Sequence, residues 1–285
     1  MQEKHDERRN FRLRSEILKY ATLHTKERGV SDTQLCDKEV VVSLTTYSKR
    51  YYEVYLTIES IMQGTVKPNR IILWLADEMK DQHIPVSLQR QMERGLEIDY
   101  TKDIRSYKKL IPTLKKYPES VIITIDDDVL YEYDLIENMV NAYHADPCHV
   151  HGGRLRSFNL DKHGMPEDYR KWKEVHSIGV ASPRNMCIGV GGVLYPPHCF
   201  TDEVFNEAVF MGLCPYADDI WFWYMANMNG YSADKIFTHS LRGVDFLTNP
   251  DVQDIALLRR NLTGRIENNS QLQRVISHYQ CQFFR

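Results

Sequence analysis

Three consecutive carboxylates, Asp126, Asp127 and Asp128, directly follow an apolar run at 121–125. The run predicts a short strand buried on both faces, so the carboxylates should lie at the carboxyl edge of a sheet, where open α/β folds bind ligands. Like charges this close repel one another unless a cation intervenes. Carboxylate oxygens suit Mg²⁺ or Mn²⁺, and Mg²⁺ is usually held by one or two carboxylates together with substrate phosphates. We therefore predict a platform for a metal ion and a diphosphate, and favour it over an acidic turn that caps the next helix.

A second acidic pair, Asp218 and Asp219, opens a predicted helix whose next residues, 220–225, are almost all apolar. An Asp at a helix start caps free N–H groups and complements the helix dipole, but one carboxylate suffices for that role. A second carboxylate on a buried helix can face a cleft, where its pKa can be tuned for base catalysis. We favour this functional role over capping.

Strand and helix patterns alternate through the first half of the chain. The predicted strands are 40–45, 70–75, 96–100 and 121–125, and the predicted helices are 51–62, 85–94 and 107–116. This alternation predicts a mostly parallel α/β sheet flanked by helices. Right-handed crossovers bring the strand ends to one edge, so residues 45–50, Asp77 and residues 126–128 should share one crevice.

The second half is less regular. It contains a predicted helix at 132–145, a polar loop at 157–184, two predicted strands at 188–195 and 232–239, and helices from 249 and 270. Glycines within a strand indicate a close approach of ligand or backbone. For Gly191 and Gly192, contact with a ligand and tight strand packing are equally favoured.

The composition bears on whether the protein binds nucleic acid, spans a membrane or carries disulfides. The chain has 285 residues and a formal net charge of −3. The overall charge therefore gives no indication that the protein binds nucleic acid. No apolar run approaches a membrane span, and the six cysteines form no CxxC pair. With no export signal visible, we expect reduced thiols and a cytoplasmic protein, including at the inner face of the cell membrane, with at most peripheral membrane contact.

We divide the chain into a helical extension at 1–37, a catalytic domain at 38–240 and terminal helices at 241–285. Within the domain, 38–130 would form the nucleotide-binding half and 131–240 the acceptor half. The extension is dense in charge. We favour a solvated helix that packs on the domain over a basic helix that lies on a membrane or a partner.

Five segments, 41–50, 56–61, 67–75, 111–117 and 123–129, form a recognisable series. Together they resemble family 2-like glycosyltransferases of the GT-A fold, of the bacterial polysaccharide type. The last two look like the region that leads into the DxD motif of that family. Residues 217–219 look like its later acidic motif, which is often Glu-Asp. Here the motif is Asp-Asp, which leaves the choice between Asp218 and Asp219 open.

The resemblance implies roles for individual residues. Asp126 and Asp128 would hold Mn²⁺ or Mg²⁺, with Asp126 and Asp127 also facing the donor, and Asp219 would be the catalytic base of an inverting enzyme. The remaining donor-side residues would be Thr45, Tyr47, Arg50, Asp77, Lys108 and Lys109. Independently of the resemblance, Gly191 and Gly192 could let the backbone approach the donor or the acceptor. His239 falls near an extra metal ligand of some GT-A enzymes, although an ordinary loop histidine is the favoured interpretation.

The expected activity is transfer of a sugar from a nucleotide-diphospho-sugar to a hydroxyl of a glycan or lipid-linked glycan, in surface polysaccharide synthesis. The leaving diphosphate needs charge neutralisation, which a metal supplies, and the acceptor hydroxyl needs a base. Two alternatives remain. One is a nucleotidyltransferase that makes sugar nucleotides, disfavoured because the loop at 45–50 lacks glycine. The other is a non-catalytic relative that binds nucleotide sugars, disfavoured by the two acidic clusters.

Overall fold

A computed structural model describes residues 2–239, 246–255, 267–280 and 283. Its helices are α1 Gln2–His24, α2 Val54–Met62, α3 Val86–Met92, α4 Ile111–Lys116, α5 Leu135–Ala145, α6 Glu207–Leu213, α7 Asp218–Met228 and α8 Asn268–Tyr279. Its strands are β1 Val40–Thr45, β2 Arg70–Ala76, β3 Leu96–Thr101, β4 Val121–Thr124, β5 Val129–Leu130, β6 Val150–Gly152, β7 Leu155–Ser157, β8 Lys173–Glu174, β9 Asn185–Cys187, β10 Val193–Tyr195, β11 Ala233–Lys235 and β12 Leu247–Thr248.

The central sheet has seven strands in the order β11-β6-β10-β4-β1-β2-β3. Strands β3, β2, β1 and β4 pair in parallel, β11 pairs in parallel with β6, and β10 runs antiparallel to both its neighbours. The predicted fold class, a mostly parallel α/β sheet flanked by helices, is confirmed. The division at residues 37 and 240 stays a prediction.

Both faces of the sheet are buried, which explains the continuously apolar strands. In β1, Val40, Val42 and Leu44 pack into the core on the side of α2, α3 and α5. Val41, between them, faces the other side, since neighbouring strand residues point to opposite faces. Helices α4, α6, α7 and α8 contribute to the second large core. None of the described helices is long and apolar enough to cross a membrane.

The prediction of one strand over 188–195 is wrong. A 3-10 turn, Gly189–Gly191, separates β9 from β10, and these two strands belong to different sheets. The chain can turn here because Gly192 has a φ of 73°, in the left-handed region that favours glycine. An apolar run with glycines reads as a strand in sequence, although the glycines serve the turn.

Three predicted helices also differ in detail. The helix at 107–116 is a 3-10 turn, Arg105–Lys109, followed by α4, which has a proline in its first turn. The tail predicted from 249 begins as a 3-10 turn, Pro250–Ile255, and its continuation lies outside the described residues. Helix α8 begins two residues before the predicted start at Ser270.

Helix α1 contacts a buried ion pair that joins α2 to Arg94, just after the end of α3. Arg94 Nη1 lies 2.8 Å from Glu59 Oε2, and both side chains are almost fully buried. Thr22 of α1 donates its hydroxyl to the same carboxylate at 3.1 Å, and Gln91 donates its amide at 3.0 Å. The charge of Glu59 is therefore satisfied by groups from both α1 and the α3 region.

We expect Arg94→Met to lower the free energy of unfolding by about 3–5 kcal/mol, because it leaves the Glu59 carboxylate buried without its partner. The matched control is Arg90→Met. The pair Arg90–Glu93, at the end of α3, is exposed, so this change should cost about 1 kcal/mol or less. Urea unfolding measures both. Equal losses in the two variants would contradict the role given to the buried pair.

Candidate active site

The predicted acidic platform lies at the carboxyl edge of the sheet. Strand pairing extends one residue past β4, where the Ile125 N–H donates to the Ser43 carbonyl at 3.1 Å. The chain then turns through residues 126–128. The N–H of Asp126 donates to the hydroxyl of Tyr131 at 2.9 Å, which ties the start of the turn to its end. The position of the carboxylates is thus set by backbone and a buried tyrosine.

Two of the three carboxylates contact one arginine. Arg50 Nη1 lies 2.7 Å from Asp127 Oδ1, and Arg50 Nη2 lies 2.8 Å from Asp128 Oδ2. All three side chains are about nine-tenths buried or more. Burial raises the pKa of Asp127 even though Arg50 opposes the shift. Arg50 comes from a 3-10 turn, Ser48–Tyr52, that follows β1, so two neighbouring strand ends meet here.

The third carboxylate contacts Lys109, which also reaches the second acidic pair. Lys109 Nζ lies 3.0 Å from Asp126 Oδ1 and 3.0 Å from Asp218 Oδ2. The lysine is buried, which disfavours its charge, yet Asp126 and Asp218 hold its pKa well above the ordinary value. Ser106 donates its hydroxyl to the other oxygen of Asp218 at 2.8 Å. The two acidic clusters predicted from sequence therefore form one site.

Asp219 lies beside this group and is partly exposed. Burial and the neighbouring Asp218 charge raise its pKa to about 7, although Lys109 and the N–H of Gly189 oppose the rise. That N–H donates to Asp219 Oδ2 at 3.2 Å. Asp219 thus has the pKa expected of a general base near neutral pH.

The backbone at Gly189 comes very close to these charged groups. A Cβ atom there would lie 2.7 Å from Lys109 Nζ. It would also lie 3.1 Å from Asp219 Oδ1 and 3.2 Å from Asp126 Oδ1. Only glycine lets the turn Gly189–Gly191 approach so closely.

The two residues of the second acidic pair, Asp218 and Asp219, have different hydrogen-bond and ion-pair partners. Asp218 uses one oxygen for Ser106 and the other for Lys109, so it positions the lysine. Asp219 carries the pKa near neutrality. The geometry favours Asp219 as the base and Asp218 as its supporting residue.

A segment from the C-terminal part of the chain crosses this edge. Strand β12 pairs antiparallel with β5, directly after the acidic platform. The N–H of Asn249 then donates to the Asp128 carbonyl at 2.7 Å, and Lys49 donates to the Asp251 carbonyl at 2.8 Å. Residues 246–252 therefore border the acidic platform.

Three other predicted donor-side residues lie at the ends of β1 and β2. Thr45 donates its hydroxyl to the Trp74 carbonyl at 2.8 Å. Tyr47 is 42% exposed, and Asp77 pairs with Lys80 at 2.8 Å on the surface. The sheet thus places them on the predicted edge, and their contact with a nucleotide stays a prediction.

The remaining two polar candidates have protein partners elsewhere. Lys108 is buried and forms an ion pair with Asp103. His239 Nε2 lies 2.8 Å from Asp134 Oδ2, at an exposed position. The predicted roles of Lys108 at the diphosphate and of His239 at a metal remain untested.

Gly191 and Gly192 pack against protein. A Cβ at Gly191 would lie 2.4 Å from the backbone nitrogen of Arg154, and one at Gly192 would lie 2.9 Å from Met139 Cε. These surroundings favour the packing interpretation. Ligand contact by either glycine stays a prediction.

Ser106 and Gly189 were not among the predicted site residues. Ser106 directly precedes the predicted basic helix at 107–116, where no pattern marks it. Gly189 stands in a run that reads as a strand, and its two neighbouring glycines drew attention instead. The GxGG spacing at 189–192 is the signal that could have indicated a turn against the site.

The platform residues suit a divalent cation by chemistry. Asp126 and Asp128 provide hard carboxylate oxygens, and the side chain of Asp126 is 30% exposed. Within the described ranges, no group of three or more His, Cys, Asp or Glu side chains is arranged to hold a metal ion. A cation here would have to complete its coordination with ligand oxygens, as Mg²⁺ does with phosphates.

No protein-family model matches the chain, and no curated protein sequence matches it. Among solved structures, a CMP-2-keto-3-deoxy-manno-octonic acid synthetase complexed with CTP has 13% identity, a TM-score of 0.38 and coverage of 76% of this chain and 95% of its own. An inositol-1-phosphate CTP transferase from T. maritima has 11% identity, a TM-score of 0.41 and coverage of 70% and 84%. A mannosyltransferase from Pyrobaculum calidifontis in complex with GDP-Man and Mn²⁺ has 13% identity, a TM-score of 0.42 and coverage of 82% and 70%. Likenesses this distant carry no argument about function.

In the metal-free protein, we expect the carboxyl of Asp219 to titrate near pH 7, because burial and Asp218 disfavour its charge. Replacing Asp218 by Asn should lower the pKa of Asp219, since it removes a neighbouring negative charge. Carbon-13 NMR of labelled aspartates measures both values, and Asp219→Asn assigns the signal.

Asp168 serves as the internal reference for this titration. Hydrogen bonds from Arg170 lower its pKa to about 2, and it lies away from the acidic clusters in sequence. Asp218→Asn should leave the titration of Asp168 unchanged. A midpoint near 4 for Asp219 in the unmodified protein would contradict the environment described for it.

Proposed function

We propose that the chain is a metal-dependent glycosyltransferase that moves a sugar from a nucleotide-diphospho-sugar to an acceptor hydroxyl, with inversion. One observation carries the proposal: Lys109 joins Asp126, at the end of β4, to Asp218, at the start of α7, with Asp219 beside them. Charge-neutralising groups for a diphosphate and a carboxylate suited to base catalysis are thus within one site.

On the donor side, Asp126 and Asp128 would hold Mg²⁺ or Mn²⁺. Such an ion, when bound, neutralises charge on the departing diphosphate. Arg50 and Lys109 add fixed positive charge beside the same carboxylates. A guanidinium suits phosphate oxygens geometrically and an ammonium acts as a compact charge, so both side chains can bind the diphosphate.

On the acceptor side, Asp219 would accept the proton of the attacking hydroxyl. The acceptor oxygen forms its bond to the anomeric carbon while the bond from that carbon to the diphosphate oxygen breaks. The proton moves to the Asp219 carboxylate, and the diphosphate leaves with the electron pair. A base with a pKa near 7 is about half ionised at neutral pH and is basic enough to accept the proton.

The substrates follow from these roles. The donor is a nucleotide-diphospho-sugar, with Thr45, Tyr47 and Asp77 as the nucleotide-side residues. The acceptor is a glycan or a lipid-linked glycan in surface polysaccharide synthesis. The charges and the base in the site support a diphosphate-bearing donor and a hydroxyl acceptor. The nucleotide-side residues and the glycan nature of the acceptor rest on the family resemblance.

A donor panel tests this function. The purified chain is incubated with common nucleotide sugars, simple glycan acceptors and Mn²⁺, with and without EDTA. We expect release of nucleoside diphosphate from one donor, suppressed by EDTA. Release of pyrophosphate from a nucleoside triphosphate and a sugar phosphate would instead identify a nucleotidyltransferase. Calorimetric binding of a nucleotide sugar without any turnover would identify a binding protein.

With the active donor, we expect Asp219→Asn to lower kcat by about 10²–10⁴-fold, because the acceptor proton loses its base. The affinity for the donor should change little, since Asp219 lies on the acceptor side. The control is Asp81→Asn, which removes the same charge at an exposed position. A variant at Asp219 that keeps full kcat would exclude the assigned base.

A further inference from the structure

We propose that the outward face of α1 docks on an anionic membrane surface. This outer face consists of the apolar residues Leu13, Ile17 and Tyr20 and the basic residues beside them. It is distinct from the acidic site and has no role in the chemistry proposed above. The proposal does not depend on that chemistry.

The inner face of α1 is fixed against the domain. Phe11 and Leu18 are buried in a small core with Leu56 and Leu130. Arg14 forms an ion pair with Glu132 at 3.1 Å, and its guanidinium also donates to the carbonyl of Tyr131. With this face held, the residues on the opposite side of the helix must point away from the protein.

The residues that point away are large and apolar. Leu13 is 57% exposed, Ile17 is 62% exposed and Tyr20 is 68% exposed. Their spacing of four and three residues places them side by side on one helix face. A contiguous apolar stripe on a surface helix marks an interaction site, because single exposed apolar residues are ordinary but aligned ones are not.

The flank of this stripe is positively charged, although the chain as a whole has a net charge of −3. The exposed basic residues within 8–19 are Arg8, Arg9, Arg12 and Lys19, against one exposed acidic residue, Glu16. Arg14 is already paired with Glu132. Asp6 lies one turn earlier and offsets part of the charge. The outer face is therefore basic on an acidic protein.

Apolar side chains flanked by Arg and Lys on one helix match an anionic lipid surface. The apolar residues enter the headgroup boundary and the basic residues contact lipid phosphates. Tyrosine suits this boundary because its ring is apolar and its hydroxyl is polar. A second copy of this chain fits less well, since pairing the outer faces would bring two positively charged surfaces together.

Docking through α1 would also fix the orientation of the candidate active site relative to the membrane. Arg14 donates to the carbonyls of Leu130 and Tyr131 and to the side chain of Glu132, shortly after residues 126–128. A membrane that contacts the outer face would therefore lie near that edge of the sheet. Under the proposed function, this position suits an acceptor that is anchored in lipid.

Vesicle sedimentation with the full chain tests the proposal. The vesicles are phosphatidylcholine alone, or phosphatidylcholine mixed with phosphatidylglycerol in about equal parts. We expect binding to the mixed vesicles only, and weaker binding as salt rises, because the charges are exposed to solvent. Replacing Arg9 and Arg12 by Gln should weaken binding about fivefold for each charge removed.

Two further variants complete the test. Leu13→Ser, Ile17→Ser and Tyr20→Ser together should abolish sedimentation with vesicles and leave the unfolding temperature unchanged. The matched control replaces Lys162 and Lys171 by Gln, which removes two exposed positive charges elsewhere, and should bind as the unmodified protein does.

Equal binding to both vesicle types, no binding, or an equal loss in the Lys162 and Lys171 control would overturn the proposal. Light scattering tests the alternative that a second copy of this chain, rather than a membrane, covers the outer face. A concentration-dependent dimer that the triple serine variant abolishes, without vesicle binding, would assign the outer face to a second copy.

Discussion

The arrangement of the site depends on one buried ammonium group, that of Lys109, between the carboxylates of Asp126 and Asp218. These two carboxylates come from opposite halves of the chain and would repel each other without a shared cation. Lys109 relieves that repulsion at 3.0 Å from each. The same charge also opposes the rise in the pKa of Asp219. One lysine thus joins the two carboxylates and limits how far burial and Asp218 raise the pKa of Asp219.

Arg50 has a similar role on the other side of the acidic platform, where it contacts Asp127 and Asp128. Three adjacent carboxylates therefore meet two protein cations, and a divalent ion would share its ligands with them. Each cation lies on a short 3-10 turn beside the sheet: Arg50 on the turn that follows β1, and Lys109 on the turn that precedes α4. The strands provide the rigid edge, and the turns bring the positive charge to it.

Sequence patterns predict the sheet and the two acidic clusters because strand periodicity and the position of a strand end are local properties. Arg50 and Lys109 were expected on the donor side from the family resemblance alone. The patterns did not predict that these cations bind Asp126, Asp127, Asp128 and Asp218, because such contacts depend on tertiary packing. The prediction over 188–195 failed since apolar residues with glycines suit a strand and a buried turn alike. Gly189 was missed for the same reason.

A double-mutant cycle on the free energy of unfolding tests the shared cation most directly. It compares Asp126→Asn, Asp218→Asn and the double variant. If both carboxylates hold Lys109, removing both leaves a buried charge without its partners, and the double variant should lose at least about 1 kcal/mol more than the sum of the single losses. Additivity within about 0.5 kcal/mol would show that the two residues act independently and would contradict this account.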